Sequence, residues 1–265
     1  MKYETLSVRV EDGVAIITLS RPDKLNALDE QAARELLQSL KECEKDENVK
    51  VVVITGEGKA FSAGGDIKGM MKSIEEGNPG EFMDSLTKPL YEVALHIRRM
   101  SKLVIASVNG YAMGAGFNLA IACDIVLASE KAMFAQSFIK LGLIPGMGGT
   151  YLLTRLIGPL RAGELFYTGR TIDAQEALSL GIVNRVVPHE KLHEETMKLA
   201  SSLARGPTLA LARTKMLLEK AMHAPEMSSH LTEERLMQIE SAKTRDYEEG
   251  VRSFIEKRSP DFQGE

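Results

Sequence analysis

The sequence has no tryptophan, two cysteines among 265 residues, and only 5% aromatic side chains. Each scarcity excludes something. Cys43 and Cys123 cannot build a disulfide framework, so a reducing compartment is expected. A net charge of -4 and the lack of tryptophan leave neither the electrostatic attraction nor the stacking platform that nucleic acid requires. No apolar run approaches the roughly 20 residues that cross a bilayer. The opening "MKYETLSVRVEDG" is charged and alternating, unlike a signal or transit peptide. A cytoplasmic protein without a nucleic-acid or membrane partner is expected. What is present, 44% hydrophobic and 26% charged residues, describes a globular chain long enough to bury a sizeable core.

Short β-branched runs alternate with amphipathic stretches. The pattern predicts strands over residues 14–20, 50–56, 103–110, 124–129 and 181–187. It predicts a helix over 29–46, with Asp29 as N-cap and Leu36, Leu37, Leu40 and Cys43 at helical spacing. Strands separated by helices imply an α/β chain with parallel crossovers. From about His189 the strand pattern stops, dividing the chain into a core over 1–188 and a helical section over 189–265. Residues 71–85 contain Gly77, Asn78, Pro79 and Gly80 and read as a mobile loop placed where a lid could lie. His96 falls in the amphipathic "LYEVALHIRRM" and reads as a surface or core histidine.

Two glycine clusters carry the chemistry. "KAFSAGGDIKGM" (residues 59–70) and "GYAMGAGFNLA" (residues 110–120) each pass from a strand end through small residues into a helix. Backbone N–H groups are left unpaired at such passages. Two of them converging on one oxygen would form an oxyanion hole. The rival reading, a dinucleotide fingerprint, fails: Leu119 stands at the last position, and Asp124 comes before the next strand rather than after it. Neither cluster has a Gly-Lys-Ser/Thr ending.

These segments, with "VAIITLSRPDKLNALD", "VNGYAMGAGFNLAIACDI", "IKLGLIPGMGGTYLL", "FYTGRTIDAQEALSLGIVNRVVP" and "EEGVRSFIEKRSPDF", resemble the crotonase, or enoyl-CoA hydratase/isomerase, superfamily across almost the whole chain. The resemblance implies a spiral of ββα units followed by helices that assemble trimers or dimers of trimers. It also implies acyl-CoA thioester substrates, with coenzyme A entering as part of the substrate, no separate cofactor and no metal. Carried over by position, the oxyanion amides belong to Gly65 and Ala115. Ala63, Gly64, Asp66, Ile67, Gly114 and Gly116 complete the two binding segments, and Phe138 belongs to the pocket wall. Lys68 matches a lysine near the coenzyme A phosphates, and Lys24 with Ala27 match the turn along its nucleotide end. Lys257 would reach a neighbouring subunit's coenzyme A site. Asp66 also stands where a helix N-cap is expected, while Asn26 and Asp124 read as supports of the backbone.

The sequence departs from the family where acid–base chemistry is expected. The two glutamates of the hydratases are replaced by Asn118 and Phe138, and the aspartate of some isomerases by Gly146. Asn118 can orient a water or a substrate oxygen, but an amide takes no proton near neutrality. Three readings follow. An enoyl-CoA isomerase or atypical hydratase would draw its base from Asp66, Glu81, Asp84, Tyr91 or Tyr151. Decarboxylation of a malonyl-type thioester would form its own enolate. A non-catalytic acyl-CoA-binding protein would need no base.

Overall fold

The computed structural model describes residues 3–224 and 226–265. The chain opens with a hairpin, β1 (Leu6–Glu11) and β2 (Val14–Leu19), turned by Asp12 and Gly13 at φ 47° and 78°. An Asp-Gly pair with both residues left-handed matches the strand twist of a two-residue hairpin. Helix α1 (Glu30–Lys45) follows, its Ala32 N–H donating to Asp29 Oδ1 at 2.9 Å as the capping pattern requires. Leu36, Leu37, Leu40 and Cys43 are buried along it.

The chain then winds through turns of similar design. A long strand, β3 (Val51–Gly56), leads to a short one, β4 (Ala60–Ser62), and to α2 (Ile67–Glu75) and α3 (Pro79–Arg99). Next come β5 (Leu103–Val108), β6 (Tyr111–Met113) and α4 (Ala115–Ala122). A third turn contains β7 (Ile125–Ser129), β8 (Met133–Ala135), α5 (Gly149–Ile157) and α6 (Pro159–Thr168). After β9 (Thr171–Asp173), α7 (Ala174–Ser179) and β10 (Arg185–Val187), the chain is helical: α8 (Leu192–Ala204), α9 (Thr208–Ala221), α10 (Met227–Ser241) and α11 (Arg245–Glu256). Long strands form a six-stranded sheet, β1-β2-β3-β5-β7-β10, parallel except for β1. Short strands form a second sheet, β4-β6-β8-β9, whose last strand runs antiparallel.

Both faces of the larger sheet are covered, which is why its strands read as continuous apolar runs. Val52, Ile54, Val104 and Ala106 face the main core, with Leu36, Leu40, Val93 and Ile97. Val51, Val53, Ile105 and Leu127 face the other way, onto Leu192 and Ala200 of α8. Thus α8 packs on the sheet although the strand pattern ends before it. The division at residue 189 marks a change of element type, and packing on the sheet continues past it. Pro207 precedes the first residue of α9, so the helical section breaks between α8 and α9.

The expected mobile loop over 71–85 is corrected by the structure. Those residues belong mostly to α2 and α3, joined by a three-residue connection, 76–78. Gly77 at φ 76° follows the end of α2, and Pro79 occupies the first turn of α3. Glycine after one helix and proline at the start of the next are boundary signals. They also punctuate loops, hence the misreading. Among the described residues no helix is long and apolar enough to cross a membrane.

Candidate active site

The site begins at the turn between β2 and α1. Asn26, buried at φ 55°, donates from Nδ2 to Glu57 O (3.0 Å) and Ala60 O (2.8 Å) and accepts from Arg21 N–H (2.9 Å). Ser62 Oγ donates to Asn26 O at 2.8 Å and accepts from Gly64 N–H at 3.1 Å. Leu28 N–H donates to Gly64 O at 2.7 Å. Arg21 reaches across the turn to Asp29 and to Ala27 O. Burial works to raise the Asp29 carboxyl, but hydrogen bonds from Arg21 and from Ala32 N–H outweigh it and hold the group below its ordinary value. Both polar backbone atoms of Gly64 are thereby fixed, and the chain arrives at Gly65 in a defined orientation.

The second segment meets the first through glycine. Gly64 has φ 89°, and a side chain there would begin 2.5 Å from Met113 O and 3.2 Å from Ala115 N. A side chain at Gly116 would begin 2.3 Å from Ser62 O. Only bare backbone permits this contact. Ala115 is the first residue of α4, so its N–H has no partner within the helix. Among the described residues neither the Gly65 nor the Ala115 N–H has an acceptor.

Both residues line one narrow cleft of about 60 Å³, open to solvent. Its walls come from Ile67 and Met70 of α2, Met83, Leu86 and Leu90 of α3, and Phe138, Leu141, Leu143 and Met147 of the segment after β8. The polar side chains on it are Thr87, Tyr91 and Ser137. Thr87 Oγ1 already donates to Met83 O at 2.7 Å. No carboxylate lines the cleft, and Tyr91 is the one titratable side chain among the described residues that do.

Of the residues expected at the site, Ala63, Gly65, Ile67, Gly114, Ala115 and Phe138 line this cleft. Gly64 and Gly116 lie behind it as the packing contact. Asp66 caps α2, its Oδ1 accepting from Lys68 N–H at 3.1 Å. Lys24 and Lys68 are exposed, and Ala27 sits half-buried in the turn, its N–H on Lys24 O. Lys257 ends α11 at φ 55°, exposed and away from this chain's cleft.

Asn118 does not take the expected place facing a substrate. It is 0% exposed; Nδ2 donates to Gly146 O at 2.8 Å and Oδ1 accepts from Gln136 Nε2 at 2.7 Å. The carbonyl of the 146 loop needs a donor in that interior, and Asn118 supplies it. Glu81 and Asp84 stand exposed on α3, outside the cleft lining. Tyr151 contacts His223, with Oη 2.7 Å from Nε2, and lies under Arg155 in an adjoining cavity that Tyr91 also lines. Sequence reasoning did not assign Met83, Leu86, Thr87 and Leu90 to the cleft. Their three- and four-residue spacing was the available signal, hidden by reading part of α3 as loop.

Residues 9–265 match the profile of the enoyl-CoA hydratase/isomerase family. A probable enoyl-CoA hydratase of Mycobacterium tuberculosis is 39% identical over 262 residues, covering 99% of both chains. The trans-2-decenoyl-acyl-carrier-protein isomerase of Streptococcus mutans is 34% identical over 264 residues, covering 100% of both. The crystal structure of an enoyl-CoA hydratase from Bacillus anthracis superposes with a TM-score of 0.93 at 34% identity, over 99% of this chain and 100% of that one. The spiral of strands and helices is the crotonase fold, and the chain belongs to the enoyl-CoA hydratase/isomerase family.

Proposed function

We propose that the chain shifts the double bond of an enoyl thioester of coenzyme A by proton transfer, rather than adding water across it. The observation that supports this is the pairing of two acceptor-free N–H groups, Gly65 and Ala115, with an apolar cleft that has no carboxylate on its wall.

In this reading the thioester oxygen accepts from both amides. As the α-proton leaves, negative charge moves onto that oxygen, so the two bonds strengthen toward the transition state. The apolar walls keep water from screening them. Hydration would require a water held between an acid and a base. Phe138 offers that water nothing, and the Asn118 side chain is occupied by Gly146 O and Gln136. Lys68 and Lys24, with Ala27, would lie along the coenzyme A portion. Lys257 would serve a neighbouring subunit's site in a trimer or dimer of trimers. The isomerase named among the relatives supports double-bond migration within this family.

Conversion of 3-hexenoyl-CoA by the purified full chain tests the reading. Conjugated 2-hexenoyl-CoA is the expected product, with little 3-hydroxyhexanoyl-CoA beside it. A hydroxyacyl thioester as the main product would sink it in favour of hydration. Thioester binding without turnover would leave a binding protein.

A further inference from the structure

We propose that Tyr91 carries the proton between the α- and γ-carbons of the enoyl thioester. The assignment rests on the isomerase reading above and supplies the residue that reading lacks.

Isomerisation needs one group that takes a proton from carbon and returns it to another carbon of the same chain. The cleft offers a single titratable candidate. Tyr91 follows Leu90 on α3, is 44% exposed, and its hydroxyl has no hydrogen-bond partner among the described residues. From α3 its hydroxyl reaches the segment after β8. A side chain at Gly146 would begin 3.3 Å from Tyr91 Oη and 3.9 Å from Phe138 Cε1. The phenol oxygen therefore stands beside the point where a residue-146 side chain would enter the cleft. Gly146 in turn is held by its carbonyl on Asn118 Nδ2. A glycine that leaves room and a tyrosine from another element thus meet at one point of the cleft.

The other candidates are placed elsewhere. Asp66 is turned to Lys68 N–H, Glu81 and Asp84 are outside the cleft, and Tyr151 is engaged with His223.

The step balances with no co-reactant. Tyr91 Oη, as phenolate, accepts the α-proton of a 3-enoyl thioester. The released C–H electron pair forms a dienolate whose charge rests on the thioester oxygen, between Gly65 and Ala115 N–H. The Tyr91 hydroxyl then gives its proton to the γ-carbon, the carbonyl re-forms, and the double bond lies between the α- and β-carbons. One proton leaves and one returns, so the phenolate is regenerated and nothing is oxidised.

The test is Tyr91→Phe in the full chain with 3-hexenoyl-CoA. The hydroxyl is removed while the ring remains to fill the wall. We expect kcat to fall by about 10² or more, with KM and the thioester Kd within about threefold of wild type. Retained binding reports that the variant is folded and the pocket intact. A Tyr91→Phe kcat within about threefold of an active wild type overturns the role of Tyr91 and leaves isomerisation standing. A wild type that binds the thioester without isomerising it overturns the isomerase reading and this assignment together.

Discussion

Lys215 Nζ lies 2.8 Å from Asp124 Oδ2, in an interior where the lysine side chain is 4% exposed and the aspartate 11%. The same ammonium donates to Ile97 O at 2.6 Å and Lys102 O at 2.9 Å, while Asp124 Oδ2 accepts from Val104 N–H at 2.8 Å. One contact thus ties α9 to the end of α3, the start of β5 and the entry to β7. Burial pushes the Asp124 carboxyl up and the Lys215 ammonium down, in each case against their mutual attraction.

Such a pair gives little over an apolar replacement of both partners, yet removing one leaves the other buried and uncompensated. Lys215→Met is therefore expected to lower the unfolding free energy by about 3–5 kcal/mol. Adding Asp124→Asn should restore part of that loss, so the two changes are non-additive. Denaturant melts of the two single variants and the double variant check this. Strict additivity would contradict direct coupling.

Asp29 gives a pH dependence of known sign. Its carboxyl titrates lower in the folded chain than in the unfolded one, so its charge stabilises the fold above the ordinary aspartate range, about pH 4. That contribution is lost as pH falls through the lowered folded value. Asn at this position still caps a helix, so Asp29→Asn removes chiefly the charge that faces Arg21. The stability gap between wild type and Asp29→Asn should be open at pH 7 and close toward pH 2. Urea midpoints at both pH values measure it, and a gap that widens in acid would contradict the ion-pair account.

The geometry between Tyr91 and Gly146 makes rescue possible. In a Tyr91→Phe background the phenol oxygen is gone, so a carboxylate entering from residue 146 has room. Gly146 is not among the positive-φ glycines, so an L side chain is compatible with its backbone. Gly146→Asp should regain about 10-fold or more of the lost isomerisation, out of the 10² to 10⁴ that a positioned acid–base group typically contributes. Absence of recovery with thioester binding intact would mean that this point of the cleft is not where the proton moves.

How far the sequence speaks depends on how local each feature is. The paired glycine segments were legible because close approach at Gly64 and Gly116 forbids side chains, a constraint written directly into residue type. Helix α1 was legible because its cap and its apolar stripe lie within one short stretch. The hairpin strand β1 was passed over, since its alternating pattern was used only to judge the amino terminus. Residues 77–79 were ambiguous because the same Gly-Asn-Pro chemistry ends helices and builds loops. Lys215 and Asp124 are 91 residues apart, and nothing local to either names the other. The same holds for Tyr91 and Gly146: a missing aspartate was visible in the sequence, but the tyrosine beside its place was one of five candidates until α3 fixed its direction.

The central claim, that Gly65 and Ala115 amides hold a thioester enolate, is tested most directly by hydrogen exchange at the α-carbon. Hexanoyl-CoA has no double bond to hydrate or move, so deuterium uptake from ²H₂O reports enolate formation alone. Wild type should catalyse exchange. Ala115→Pro, which removes one donor at a first helical position that tolerates proline, should slow it by about 10² to 10³ while leaving thioester binding measurable. Equal exchange by wild type and Ala115→Pro, or no exchange by wild type with the thioester bound, would contradict the account.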